Sequence, residues 1–149
     1  MSGLFTALLL QQQGWEVDVY ERVEGELADR GAGIVAQPEI GAAFKRLGID
    51  FGPNLGVNTV PRRTFDREGR LIGETECPQT HTAWERVYRL LRSAFSPAHY
   101  HRGRRFVHVE QDDTAVTAHF AEGPPERADL LVGADGLRST VRGQFLPDF

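Results

Sequence analysis

The opening of the chain narrows the fold more than any other stretch. Leu4, Phe5, Leu8 and Leu9 recur at three- and four-residue spacing, which predicts a helix over residues 3–13. Gly14 follows, a residue suited to ending a helix in the left-handed conformation. Glu16-Val17-Asp18-Val19-Tyr20-Glu21 then alternates polar and apolar, the pattern of a strand. A helix joined so tightly to a strand needs a sheet to pack upon. In a parallel sheet that support begins with a strand before the helix. No strand precedes Gly3, so the expected class is α/β with a sheet lacking its first strand.

Further along, Gly31-Ala32-Gly33-Ile34-Val35-Ala36 reads as a glycine-punctuated loop entering a short strand. Pro38 to Leu47 reads as a helix, with Pro38 in its first turn. Residues 59–76 predict a hairpin around Arg67-Glu68-Gly69, and residues 105–121 a second around Gln111-Asp112-Asp113-Thr114. Between them Trp84, Val87, Tyr88, Leu91 and Phe95 share one face of a predicted helix. Ala128-Asp129-Leu130-Leu131-Val132 reads as a buried strand, residues 133–136 as a turn and 139–145 as a helix. A chain of 149 residues can bury a real core, about 70% of its unfolded surface. With 40% hydrophobic and 26% charged residues, whole-chain disorder, collagen and coiled coil are excluded.

Several function classes fall away at this point. The longest apolar run, Leu4 to Leu10 broken by Thr6, is far short of the roughly 20 residues of a membrane span. No basic segment precedes it, so it does not read as a signal peptide. The lone Cys77 cannot form an internal disulfide, and a cytoplasmic setting is expected. A net charge of −4 argues against nucleic acid, and Arg102-Gly103-Arg104-Arg105 reads as a solvated strand entry. His99, His101 and His108 raise the question of a metal. No carboxylate or cysteine completes a recognisable ligand set beside them, so no metal is expected.

Three segments carry chemistry. Ser2-Gly3 opens a helix whose following strand ends in Glu21, 18 residues after Gly3. A helix N-terminus offers free N–H groups and partial positive charge to a phosphate, and an acid after the second strand suits ribose hydroxyls. Gly3 stands where the third glycine of G-x-G-x-x-G would stand, and the first two are absent. A plain β-α-β edge with a solvated Glu21 would look the same. The second segment is Asp129-Leu130-Leu131-Val132-Gly133-Ala134-Asp135-Gly136-Leu137-Arg138-Ser139-Thr140-Val141-Arg142. There a strand, a glycine turn bearing one carboxylate and a helix capped by Ser139 follow one another. The third is Glu21-Arg22 with Arg30-Gly31-Ala32-Gly33-Ile34-Val35-Ala36-Gln37-Pro38-Glu39.

The second segment resembles the G-A-D-G-x-x-S-x-V-R signature of flavoprotein monooxygenases of the para-hydroxybenzoate hydroxylase type. The third resembles the basic residue and G-x-G-I loop that follow the ribose-binding acid in that family. With Trp84-Glu85-Arg86-Val87-Tyr88 and His99-Tyr100-His101, it is similar to the branch that includes 2,6-dihydroxypyridine 3-monooxygenase. The resemblance spans nearly the whole chain. It implies an incomplete Rossmann-like FAD-binding domain over residues 1–149, with an antiparallel hairpin insertion. The first strand and the C-terminal substrate domain would be absent.

The resemblance also implies roles. Ser2 and Gly3 would receive the FAD pyrophosphate, and Glu21, with Arg22 beside it, the adenosine ribose. Arg30 and the loop bearing Gly33, Val35 and Gln37 would approach the flavin. Arg86 stands where many members carry a FAD-contacting arginine, although Arg89 replaces the usual leucine three residues on, and a solvated helix arginine is an equal reading. Gly133, Asp135 and Gly136 would serve FAD and the pyridine nucleotide. The implied activity is hydroxylation of an aromatic or heteroaromatic ring with NAD(P)H and oxygen, inactive in this chain alone, and no catalytic residue can be named. Two other readings stay open: a piece of another flavoprotein oxidoreductase such as a reductase or halogenase, and a non-enzymatic module completed by a partner chain.

Overall fold

A computed structural model describes residues 1–27, 31–52 and 55–148. In chain order the elements are α1 (Ser2–Gln11), β1 (Val19–Glu21), β2 (Gly33–Val35), α2 (Pro38–Leu47) and β3 (Val57–Thr59). There follow β4 (Arg62–Phe65), β5 (Leu71–Thr75), β6 (Gln79–Ala83) and α3 (Trp84–Ala94). The chain ends with β7 (Tyr100–Arg102), β8 (Phe106–Gln111), β9 (Val116–Phe120), β10 (Glu126–Ala128) and α4 (Thr140–Phe145). They form two compact units, one of residues 1–27 with 91–149 and one of residues 28–90.

In the first unit α1 buries Leu4, Ala7 and Leu8, the three- and four-residue spacing of an amphipathic helix. Gly14 closes the turn after it at φ +89°. β1 pairs in parallel with β7, Val19 opposite Tyr100 and Glu21 opposite Arg102. The predicted strand over 16–21 is shorter in the structure because β7 offers only Tyr100–Arg102 to pair with. Asp18, just before it, is held by side chains instead: His101 Nε2 donates to its Oδ1 at 2.7 Å and His99 Nδ1 at 3.1 Å. β8, β9 and β10 form an antiparallel sheet in the order β10-β9-β8. The other side of β8 meets α4, where the Gln144 side chain imitates a strand. Its Oε1 accepts from Val109 N at 3.0 Å, and its Nε2 donates to Val109 O at 2.6 Å. Val109 and Ala118, opposite one another, are buried there.

One expectation fails in this unit. Residues 128–132 are not a strand: β10 ends at Ala128, and residues 129–136 follow without regular structure. Leu130 and Val132 are each 49% exposed. An apolar run becomes a buried strand only where a neighbour satisfies its backbone groups and another layer covers its face. Past Ala128 no strand among the described residues pairs with it.

The second unit holds the hairpin that the sequence predicts, β4 with β5, turned through Gly69. β6 pairs antiparallel with both β2 and β3. Thr82, buried on β6, donates its hydroxyl to Leu55 O at 2.5 Å, so its polar atom is satisfied. α2 spans the predicted residues, with Pro38 in its first turn and Gly48 closing it at φ +67°. The Trp84 ring stacks on Tyr88 at 5.0 Å, and Trp84 N donates to Ala32 O at 3.2 Å, which ties α3 to the loop before β2. Val87, Tyr88, Leu91 and Phe95 are all buried, the single apolar face expected of α3 and the turn beyond it.

Candidate functional site

Two of the three chemistry-bearing segments meet in the first unit. A Cβ built on Gly3 would lie 3.2 Å from the Cβ of Ala134, so the first turn of α1 and the 133–136 turn are in direct contact. No side chain caps α1 at its N-terminus, and its first turn holds no carboxylate. The amides of Ser2, Gly3 and Leu4 have no intrahelical acceptor at that position and carry the positive end of the helix dipole. Glu21, at the end of β1, acts electrostatically on the Met1 amino group at the same helix start. Burial pulls the pKa of that amine down, and the Glu21 charge offsets part of the effect. Glu21 is itself held in place: its Oε1 accepts from Val23 N at 2.9 Å, and its backbone carbonyl from Arg104 N at 3.0 Å. Arg22 beside it is exposed.

The 133–136 turn is built around Asp135. Its Oδ1 accepts from Ser139 Oγ at 2.5 Å, and its Oδ2 from the amides of Thr140 at 2.6 Å and Val141 at 3.3 Å. Ser139 in turn accepts from Arg142 N at 2.9 Å. The capping of α4 by Ser139 follows the sequence reading, and Asp135 shares it. Partial burial works against the Asp135 charge, but the bonds from Ser139, Val141 and Thr140 prevail and lower its pKa below the ordinary aspartate value. Gly133 lies so close to α4 that a Cβ there would stand 3.0 Å from Val141 Cγ1. Gly136 sits at φ +81°, where an L side chain is strained.

These residues suit a dinucleotide. Uncapped helix amides can receive a pyrophosphate, a fixed carboxylate can receive ribose hydroxyls, and the tight glycine contact leaves backbone available close to a ligand. The arrangement fits FAD, the dinucleotide that the resemblance implies.

The remaining candidates lie in the second unit. Gly33 and Val35 belong to β2, opposite Ala83 and His81 of β6. Gln37 is the residue before α2, exposed and extended at φ −66°, ψ 153°. Arg86 is exposed on α3, beside a pair in which Arg89 bonds Glu85 at 2.5 Å. Arg30 lies outside the described residues. The basic cluster is matched by acids: Arg102 pairs with Glu26, Arg104 reaches Glu126 at 3.5 Å, and Arg105 N donates to Glu122 at 3.0 Å. Sequence reasoning missed Gln144, because a glutamine on a short helix gives no sign of the strand it will bond.

The family profile described as "FAD binding domain" matches residues 1–146. The chain belongs to this family. Its relatives include 2,6-dihydroxypyridine 3-monooxygenase of Paenarthrobacter nicotinovorans, 33% identical over 98% of this chain and 37% of that protein. Another is 6-hydroxynicotinate 3-monooxygenase of Pseudomonas fluorescens, 28% identical over 98% of this chain and 41% of that protein. Among solved structures, 2,6-dihydroxypyridine-3-hydroxylase from Arthrobacter nicotinovorans superposes with a TM-score of 0.89 at 33% identity, covering 98% of this chain and 37% of that one. Klebsiella pneumoniae HpxO, solved with FAD and uric acid, shares the fold at a TM-score of 0.79 and 24% identity, over 95% of this chain and 38% of that one. The chain thus spans about two fifths of the length of the curated relatives it matches. The family member is an α/β FAD-binding domain fold with antiparallel hairpins, as the sequence implies. No helix among the described residues is long and apolar enough to cross a membrane.

Proposed function

We propose that this chain is the FAD-holding part of a flavoprotein monooxygenase that hydroxylates an electron-rich aromatic or heteroaromatic ring, using NAD(P)H and oxygen. The observation that carries the reading is the contact of Gly3 with Ala134, which brings the 133–136 turn against the uncapped start of α1. Bound FAD would supply the redox chemistry and the activation of oxygen.

The residues of this chain bind and orient. Ser2 and Gly3 would hold the pyrophosphate through backbone amides, and Glu21 would accept hydrogen bonds from the ribose with Arg22 alongside. Gly133, Asp135 and Gly136 would set the turn that lies against the cofactor. Asp135 does so as a positioning residue, since its carboxylate is committed to α4. By resemblance to the family, Arg30 and the loop bearing Gly33, Val35 and Gln37 would approach the flavin, and Arg86 would be a FAD-contacting arginine. No acid or base for ring hydroxylation is assigned, so turnover by this chain alone is not expected. A half-buried, unpaired Cys77 suits a cytoplasmic setting.

Titration of the folded chain into FAD, followed by flavin fluorescence, tests the reading. Saturable quenching is expected, weakened about tenfold by Glu21→Ala through loss of a charge-assisted hydrogen bond. A sample folded by circular dichroism that quenches nothing would overturn it.

A further inference from the structure

The β8–β9 hairpin brings together three metal-ligating side chains that are separated in sequence. His108 stands directly opposite His119, and Glu110 lies two residues along β8. A register shift between Phe106 and His108 creates this pairing, since a bulge re-aims the side chains that follow it. The two imidazoles are parallel, 5° apart with ring centres separated by 4.2 Å. Their Nε2 atoms both face the same carboxylate: His108 at 3.7 Å from Oε1 and His119 at 3.5 Å from Oε2 of Glu110. One ligand atom from each residue falls within a sphere of mutual distances no greater than 4.8 Å.

The state of these nitrogens separates this cluster from the other histidine pair. His99 and His101 both donate N–H bonds to Asp18, so their facing nitrogens are occupied by protons. In the hairpin cluster His119 Nε2 is shut off from solvent and has no hydrogen-bond partner among the described residues. Its nearest polar neighbour is the Glu110 carboxylate, at the limit of hydrogen-bond reach, so this shielded nitrogen is left under-satisfied, and a cation between it and the carboxylate would satisfy both. Val109, between His108 and Glu110, points the opposite way into the core, so the three ligands share the outer face of the sheet.

We propose that His108, Glu110 and His119 form a binding site for a divalent cation of the zinc class. Two imidazole nitrogens and one carboxylate are the protein ligands of an open tetrahedral site, with the fourth position left to water; because the rings are stacked, one exposed imidazole must turn out of the stack for both in-plane lone pairs to converge on the ion. Such an ion ties β8 to β9 across the bulge. The site is independent of the flavin reading and involves none of its residues.

The test is calorimetric titration of the 149-residue chain with zinc chloride at neutral pH, with thermal unfolding measured in parallel. One ion per chain is expected, together with a zinc-dependent rise in Tm that EDTA reverses. His108→Gln, Glu110→Gln and His119→Gln each remove one of three ligands and should weaken binding at least about tenfold. His101→Gln, in the other cluster, should leave the zinc isotherm unchanged. Tm in EDTA verifies that each variant is folded. Absence of zinc binding by the parent chain overturns the proposal. So does binding that survives His108→Gln and His119→Gln, or that is lost in His101→Gln.

Discussion

Gly3 and Ala134 touch across 130 residues of sequence: a Cβ added to Gly3 would stand 3.2 Å from that of Ala134. The contact joins the start of α1 to the turn before α4, and it sets opposing consequences for substitution. Gly3→Ala gains up to about 1 kcal/mol of helix propensity, offset by the few tenths of an ångström that Ala134 must give to admit the new methyl. Gly3→Val adds bulk that the turn must move to admit, at a cost of about 1–3 kcal/mol. Urea denaturation should therefore find Gly3→Ala close to the parent and Gly3→Val destabilised. Weaker FAD quenching by Gly3→Val than by Gly3→Ala is the matching functional outcome.

Asp135 caps α4 through Ser139 and the amides of Thr140 and Val141. Asp135→Ala should cost about 1 kcal/mol, the usual worth of a helix cap. The pKa of Asp135 is lowered by folding, so its charge stabilises the native state above the unfolded-state value and the benefit disappears as pH falls through the folded value. Stability measured from neutral pH down through the aspartate range should consequently fall less steeply in Asp135→Ala than in the parent. Equal acid sensitivity would show that the cap carries no charge-dependent stability.

The Gln144 amide completes the hydrogen bonding of Val109 on the side of β8 that faces α4. Gln144→Ala leaves a part-buried N–H and C=O without that partner and should cost about 1–3 kcal/mol. Hydrogen exchange at the Val109 amide should accelerate in that variant. Unchanged protection at Val109 would mean that the strand edge is satisfied in another way.

Asp18 gathers His99 and His101 and so pins the approach to β1 beside β7. Burial opposes its ionisation, while hydrogen bonds from His101 and His99 and their charges lower its pKa overall. The sign follows that of Asp135: stability from this group is present above the unfolded aspartate value and is lost on acidification. Asp18→Ala removes the acceptor shared by His99 and His101, so stability measured by urea denaturation from neutral pH down through the aspartate range should fall less steeply in that variant than in the parent. Equal acid sensitivity of the two proteins would mean that the two bonds do not contribute in solution.

Helices and hairpins were legible wherever the pattern was local. The apolar face of α3, Pro38 at the start of α2, and the turns at Gly69 and at residues 111–114 all follow from spacing and turn chemistry within a few residues. Residues 128–132 were misread because an apolar run specifies burial but not the partner strand that burial requires. The span of β1 was overestimated for a similar reason, its length being set by β7 about 80 residues away. In the candidate site, Gly3, Glu21 and Asp135 could be named from spacing and family resemblance, whereas the contact of Gly3 with Ala134 could not. The His108–His119 pair was hidden by a bulge, which changes register without any mark in the sequence.

The central claim is that FAD is held at the start of α1, against the 133–136 turn. An ¹⁵N-resolved NMR titration of the folded chain with FAD tests it residue by residue. The account predicts saturable shifts at Ser2, Gly3, Glu21 and Arg22 and across residues 133–136, with Leu71, on the β4–β5 hairpin, unmoved. Saturable binding that leaves Gly3, Glu21 and Asp135 unperturbed would contradict it.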